Sequence, residues 1–136
     1  MSEKGKGGGN SNLIRTVEQG RAKFAYNRVK TIAVIENQSW KKDYKSYLKK
    51  IPMLIKTNGL AATFSFILTK DSEAYKQIYK DCTEWMKNDP KQIFTLNNKD
   101  LLEYILNLDS PEYRAFTTEI LSFINWMQRF ADGMID

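Results

Sequence analysis

Apolar residues recur at helical spacing along most of this chain, and this periodicity limits the available folds more than any other feature. The clearest stripe lies near the carboxyl end and comprises Phe116, Ile120, Phe123, Ile124, Met127, Phe130 and Ala131. Steps of three and four residues place such side chains on one face of an amphipathic helix. Comparable stripes predict further helices over about 12–36, 39–58, 60–69, 72–88 and 98–108.

Residues that form turns are scarce. The 136 residues include seven Gly and three Pro, and three of the Gly are adjacent near the start, which disfavours a many-stranded β fold. Ser110-Pro111 predicts a helix start with Ser110 as the N-cap, Asn58-Gly59 predicts a helix end, and Pro52 predicts a kink or restart. We predict a flexible Gly-rich leader over 1–12 and a compact all-α domain of five to seven helices over 13–136.

Composition excludes several classes of enzyme. The chain has no His and one Cys, Cys82, which we expect to be a small core residue. Ser-His and Cys-His nucleophiles, intramolecular disulfides and multi-cysteine zinc sites are therefore ruled out. Two carboxylate pairs at i, i+3 spacing remain, Asp81 with Glu84 and Asp100 with Glu103, but no third acid joins either pair at the spacing of a metal loop. We predict no enzymatic activity, cofactor, metal or small-molecule substrate.

Two further expectations concern location. The first twelve residues lack the apolar stretch of a secretory signal, and the longest uncharged run is shorter than the roughly 20 apolar residues of a membrane span. These patterns predict a cytoplasmic protein that does not contact membranes.

Charge is unevenly distributed. The net charge is +5, but residues 15–56 carry eleven Lys and Arg against three acids, whereas residues 57–136 carry eight against twelve. This asymmetry favours an anionic partner or head-to-tail contact between copies, although solvated helix faces would also explain it.

One row of cations on the second predicted helix is the strongest candidate for a nucleic-acid contact. At 100° per residue its members lie within about 60° of each other and opposite Trp40 and Tyr47. The row comprises Lys42, Lys45, Lys49 and Lys56. Such a row suits a phosphate backbone, because each neutralised phosphate releases counterions. A solubilising face is the alternative.

The first helix adds four basic residues. Lys23 and Lys30 point outward in the same sense, whereas Arg21 and Arg28 lie within the apolar stripe. A guanidinium on such a stripe must pair with an internal acid, such as Glu84, Glu103 or Glu119, or face RNA or another subunit. Both interpretations remain open from the sequence.

Two aromatic residues are candidate protein contacts. Trp126 lies toward the edge of the last apolar stripe, and Tyr26 lies off the first. Either residue suits an interface anchor, although partial burial at the domain edge is the commoner arrangement.

Three blocks of sequence resemble a known family: Tyr47-Leu48-x-x-Ile51-Pro52, Ile55-x-x-Asn58-Gly59-Leu60 and Trp126-x-x-Arg129-Phe130-Ala131. With Arg21-Ala22 and Thr117-Thr118-Glu119-Ile120-Leu121, they resemble the small subunit of the Cmr complex, the type III-B CRISPR effector, over roughly 13–136. The resemblance implies a small all-α protein with no known catalytic site. It also implies stacking of several copies beside the backbone subunits and against the large subunit, with a basic surface facing the guide RNA and target RNA.

The alternative function is a free-standing helical adaptor that binds other proteins through its acidic and basic faces. Purified complexes free of RNA would favour the adaptor, whereas recovered guide RNA would favour the Cmr subunit.

Overall fold

The computed structural model describes residues 2–36, 38–88 and 94–136, with side chains from Arg15 onward within those ranges. This part of the chain forms six helices and contains no strand, so the predicted all-α fold is confirmed. The helices are α1 (Ser2–Ala33), α2 (Lys41–Asn58), α3 (Leu60–Leu68), α4 (Glu73–Lys87), α5 (Leu101–Leu106) and α6 (Ser110–Met134). α1 begins at Ser2 rather than near residue 12. The division into a flexible leader over 1–12 and a domain over 13–136 stays a prediction.

Side-chain caps fix where three helices begin. The Ser72 hydroxyl accepts a hydrogen bond from the Tyr75 backbone N–H at the start of α4, and the Asp100 carboxylate does the same for Glu103 at α5. At α6 the expectation of a Ser110 cap was wrong by one residue. Asp109 accepts from the Glu112 N–H while the Glu112 side chain accepts from the Asp109 N–H, a reciprocal capping box.

Gly59 forms the break between α2 and α3. Its φ of 91° and ψ of 162° lie in a region that is accessible almost only to glycine. Its N–H donates to the Ile55 carbonyl at 2.8 Å and closes the last turn of α2. Pro52 does not restart α2, which runs continuously through it. The Asn58-Gly59 boundary predicted from the sequence is confirmed.

The core forms where α6 packs against α1, α2 and α4, while α3 covers α2 and α4. Its largest fully buried aromatic side chains are Tyr44, Phe64, Phe116 and Phe123. Each large side chain removed from water stabilises the fold by roughly 1.5–3 kcal/mol before entropy is counted. Contact with α6 holds both α1 and α2 in place and so positions the basic residues discussed below.

Within the described ranges, no helix has both the length and the apolar character needed to cross a membrane.

Candidate nucleic-acid interface

The lysine row on α2 lies beside the carboxyl end of α6. The core-facing side of α2 is formed by Tyr44, Leu48, Ile51, Pro52 and Ile55. The row occupies a different side of the helix, where Lys42, Lys49 and Lys56 are exposed and Lys45 is half-buried. We call the three exposed members, Lys42, Lys49 and Lys56, the lysine face.

Two members of the row contact α6. The Lys45 Nζ donates to the Ile135 carbonyl at 2.8 Å, so this ammonium stabilises the end of α6. The Lys49 Nζ lies 3.4 Å from Asp132 Oδ1, but this pair is half exposed, with 53% of the lysine accessible. Exposed pairs are worth about 0–1 kcal/mol, so Lys49 can exchange Asp132 for another anion at little cost.

An open cavity of about 550 Å³ adjoins the first turn of α2. It is lined by Lys41, Lys42, Ser39 and Gln38 on one side and by residues 134–136 on the other. The Lys41 Nζ donates to the Ala33 and Ile35 carbonyls at 2.8 Å each and stabilises the end of α1. The ammonium of Lys42 is therefore the exposed cation at this end of the lysine face.

Arg21 pairs internally with an acid of α6. Its Nε donates to Glu119 Oε2 at 2.7 Å and its Nη2 to Oε1 at 2.8 Å, a bidentate geometry. The buried Trp85 Nε1 also donates to Glu119 Oε2, at 2.9 Å. The sequence left two interpretations of Arg21 open, and the geometry corresponds to the internal ion pair.

Arg28 pairs with a different acid from those considered in the sequence. Its Nε donates to Asp81 Oδ1 at 2.8 Å, and the Asp81 side chain is fully buried. Gln77 Nε2 donates to the same oxygen at 2.8 Å, and the Tyr44 hydroxyl donates to Oδ2 at 3.0 Å. Burial raises the pKa of Asp81, although Arg28 and the hydrogen bonds lower it in part.

The same network acts on Tyr44. Burial raises the pKa of the Tyr44 phenol, and the Asp81 carboxylate raises it further. Tyr44 therefore remains a neutral donor. Arg21 and Arg28 tie α1 to α6 and α4, and their predicted role as nucleic-acid contacts has no support from this geometry.

The first-helix lysines and the candidate interface aromatics lie together on α1 and α6. Lys23 and Lys30 are exposed, and the Lys30 Nζ lies 5.8 Å from the centre of the Tyr26 ring. The Tyr26 ring is 40% exposed and packs edge-on against Phe130, with centroids 5.4 Å apart. Trp126 stacks on Phe130 at 5.7 Å. Protein contact by Tyr26 and Trp126 stays a prediction.

Sequence reasoning missed the contact between Arg129 and the Trp126 ring. Its guanidinium carbon lies 5.0 Å from the centre of the Trp126 ring. The signal was available, because an aromatic residue and a cation three residues apart on a helix are neighbours on its surface. The exposed Phe66 ring has two similar neighbours, Lys70 at 4.7 Å and Lys50 at 5.8 Å.

The carboxylate pairs serve structural contacts. Asp81 is bound within the core, whereas Glu84 lies 4.0 Å from Lys87. Asp100 caps α5 and accepts from the Tyr79 hydroxyl at 2.7 Å. The part of the chain that the structure describes contains no cluster of three metal-ligating side chains. Cys82 is fully buried, as expected of a core residue, and burial raises the pKa of its thiol.

The fold and surface define a small helical domain with a basic face built on one helix. Residues 17–134 match the model of the family described as CRISPR-associated protein (Cas_Cmr5). The chain therefore belongs to the Cmr5 family. The resemblance to the small subunit of the type III-B Cmr complex, noted from the sequence, is confirmed.

A curated relative and a solved structure illustrate the match. The CRISPR system Cmr subunit Cmr5 of Thermus thermophilus is 27% identical over 124 residues, which span 90% of this chain and 99% of the relative. The crystal structure of a CRISPR-associated Cmr5 family protein from Thermus thermophilus superposes with a TM-score of 0.73 at 23% identity. That superposition covers 88% of this chain and 97% of the other and supports the fold.

Proposed function

We propose that this chain is a non-catalytic structural subunit of the Cmr complex that holds the guide–target RNA duplex through the lysine face of α2. The observation that carries the proposal is the exposure of Lys42, Lys49 and Lys56 along one side of a single helix. The first and last of these lysines are 14 positions apart in the sequence, a distance of about 21 Å along the helix axis. Such a row can contact several phosphates whatever the base sequence of the RNA.

The chemistry of lysine suits this role. Double-stranded RNA is recognised mainly through its shape, phosphates and 2′-hydroxyls. An ammonium on a flexible stem binds phosphate as a point charge, whereas Arg21 and Arg28 are held by buried carboxylates. Lys23 and Lys30 supply further exposed positive charge on α1. The structural use of Asp81 and Asp100 supports a role without catalysis.

Neighbouring subunits are the other partners in this proposal: the backbone subunit, the large subunit and copies of this chain. Leu106 is 65% exposed, and three exposed acids lie close to it in the sequence: Glu103, Asp109 and Glu112. Phe66 lies in an apolar groove with two lysines beside its ring. An apolar anchor among acids complements an apolar groove among cations, which supports head-to-tail packing of copies.

A charge-reversal experiment tests the RNA contact. Lys42, Lys49 and Lys56 are changed together to Glu, while Lys45 is kept because it binds the Ile135 carbonyl. The matched control reverses three exposed lysines elsewhere: Lys76, Lys80 and Lys99. Capture of labelled target RNA by the assembled complex is measured against salt, because a single chain offers non-specific affinities of only about 10⁻⁴ to 10⁻⁶ M.

The lysine-face variant should bind target RNA more weakly. The negative slope of log affinity against log salt should become shallower by about 2 to 3. The control variant should keep the wild-type slope, because its charge change is equal but its lysines lie on α4 and before α5 rather than on the lysine face. Equal slopes for all three proteins would contradict the RNA contact. Release of the protein from the complex without loss of RNA from the other subunits would identify the lysine face as a protein contact instead.

A further inference from the structure

The last turn of α6 lies beside the lysine row of α2 and brings a carboxylate to it. Asp132 Oδ1 lies 3.4 Å from Lys49 Nζ. One turn towards the start of α2, the Lys45 Nζ donates to the Ile135 carbonyl at 2.8 Å. Lys49 is the central member of the lysine face, seven positions from each of the other two. Asp132 therefore neutralises the middle of the surface on which the proposed RNA contact depends.

The core holds Asp132 in this position. Ala131 is fully buried and Ile135 is 4% exposed, so the chain is packed on both sides of the acid. The Ile135 N–H also donates to the Ala131 carbonyl at 2.9 Å, which continues the helical hydrogen bonding past Asp132. The Asp132 side chain itself is 44% exposed. The backbone thus fixes this carboxylate beside Lys49, while solvent and other ions can still reach the pair.

The three members of the lysine face differ in their partners. In the part of the chain that the structure describes, the contact of Lys49 with Asp132 is the only ion pair that a member of this face makes. Lys42 and Lys56 can therefore bind a phosphate directly. Lys49 binds one only after its ammonium exchanges a carboxylate for the phosphate.

The position of Asp132 on its helix makes this exchange less favourable. The carboxyl end of a helix carries a partial negative charge of about half an elementary charge, which disfavours a carboxylate there. The last turn of α6 contains no basic residue that would offset this charge, and Lys49 of α2 supplies the cation instead. A phosphate that takes Lys49 leaves Asp132 without its cation. A phosphate bound to the ammonium in its present position also lies within the screening length of about 8 Å from Asp132 and is repelled by it.

We infer that Asp132 is an internal competitor of phosphate at Lys49 and lowers the affinity of the lysine face for a polyanion. The inference deepens the proposed function and rests on it for the identity of that polyanion, which is RNA. The competition itself concerns any phosphate group that approaches Lys49, so it can be measured on this chain without other Cmr subunits.

The test uses the full chain and two phosphate probes: a phosphocellulose column and inorganic polyphosphate in solution. Asp132→Asn removes the competing charge and keeps the size of the side chain. The matched control is Asp71→Asn, in the segment before α4, which breaks a similar exposed pair with 3.3 Å between Lys76 Nζ and Asp71 Oδ1. Both variants have the same net charge, so a difference between them depends on where the charge is removed.

Asp132→Asn should elute from phosphocellulose at a higher salt concentration than Asp71→Asn. It should also bind polyphosphate about two- to fivefold more tightly than the control, a range set by the small strength of exposed ion pairs. Equal elution and equal affinity of the two variants would overturn the inference.

A second pair of variants locates the effect at Lys49. Lys49→Gln is compared with the double variant Lys49→Gln and Asp132→Asn. The double variant should show less than half of the gain in affinity that Asp132→Asn gives to the wild-type chain, because the ammonium that Asp132 occupies is absent from both proteins. The same gain with and without Lys49 would mean that Asp132 repels polyanions in general, and it would overturn the competition at Lys49.

Capture of labelled target RNA by the assembled complex separates this inference from the proposed function. If charge reversal of the lysine face weakens capture, Asp132→Asn should strengthen it relative to Asp71→Asn and make the negative salt slope steeper by up to about 1. If charge reversal leaves capture unchanged while Asp132→Asn binds polyphosphate more tightly than its control, the RNA contact fails and the competition stands. If charge reversal weakens capture while the two variants bind polyphosphate equally, the competition fails and the RNA contact stands.

Discussion

Replacement of Glu119 by Gln tests whether the buried pair with Arg21 holds α1 to α6. The Glu119 carboxylate is only 3% exposed and accepts from Arg21 Nε and Nη2 and from Trp85 Nε1. Gln has nearly the same size, so no cavity forms. The change removes the negative charge of Glu119 and directs an amide donor at the guanidinium of Arg21, a cation that is only 13% exposed.

The size of the effect follows from burial. Removal of one partner from a buried ion pair destabilises a protein by about 3–5 kcal/mol. Arg21 borders an open pocket at the α1–α6 seam, so water can solvate part of its charge. We therefore expect Glu119→Gln to lower the free energy of unfolding by about 2–4 kcal/mol, near the lower end of that range. For a chain of this length the midpoint of thermal unfolding should fall by roughly 6–15 °C.

Urea unfolding of the full chain at neutral pH, followed by far-ultraviolet circular dichroism, measures this change. Glu36→Gln, at an exposed position, is the control and should change stability by less than about 0.5 kcal/mol. The double variant Arg21→Met with Glu119→Gln removes the stranded cation but keeps an acceptor for Trp85. It should be more stable than Glu119→Gln alone by about 1 kcal/mol or more. A loss below about 0.5 kcal/mol in Glu119→Gln would refute the reasoning.

Four further predictions concern single substitutions at Asp81, Gly59, Arg21 and Lys42. Because burial raises the folded-state pKa of Asp81 above its ordinary value of 3.8, its stabilising contribution is complete below that value and is lost as pH rises through the folded pKa. Wild type should therefore gain stability relative to Asp81→Asn as pH falls from 7 to 4 in urea titrations. The opposite trend would mean that Arg28 lowers the pKa of Asp81 by more than burial raises it. Gly59→Ala should lower the unfolding free energy by about 1–3 kcal/mol, because a Cβ strains the backbone at φ 91°, and an unchanged urea midpoint would contradict this. Arg21→Lys should lower the free energy of unfolding by about 1–2 kcal/mol, because an ammonium cannot reproduce the bidentate pair with Glu119. Equal stability of Arg21→Lys and wild type would count against that pair. Lys42→Arg keeps the positive charge, so it should keep RNA capture by the complex within about twofold.

The sequence predicted the helices because their signals are local. Apolar spacing and the Asn58-Gly59 break both depend on residues within a few positions of each other. The one-residue error at α6 has a local cause as well, since Asp109 and Ser110 are both good N-cap residues. The reciprocal bonds between Asp109 and Glu112 decide between them.

The ion pairs could not be assigned in the same way. Arg21 and Glu119 are 98 residues apart, and Arg28 and Asp81 are 53 apart, so only the packing of α1 on α6 and α4 brings them together. Sequence patterns required a partner for each arginine but could not choose among the acids. The pair of Lys49 with Asp132 was hidden for the same reason, because α2 supplies one residue and α6 the other.

The charge asymmetry of the chain thus has two separate consequences. Part of the positive charge in residues 15–56 is neutralised inside the fold, where Arg21 and Arg28 bind acids supplied by α6 and α4. Guanidinium groups suit these partly buried positions because they are weakly hydrated and bind carboxylates with fixed geometry. The exposed positive charge on α2 is carried by lysines, which remain accessible to solvent. Because the two sets are distinct, we expect substitutions on the lysine face to change the proposed RNA capture without loosening α1, and substitutions of the arginine partners to loosen α1 without removing the lysine face.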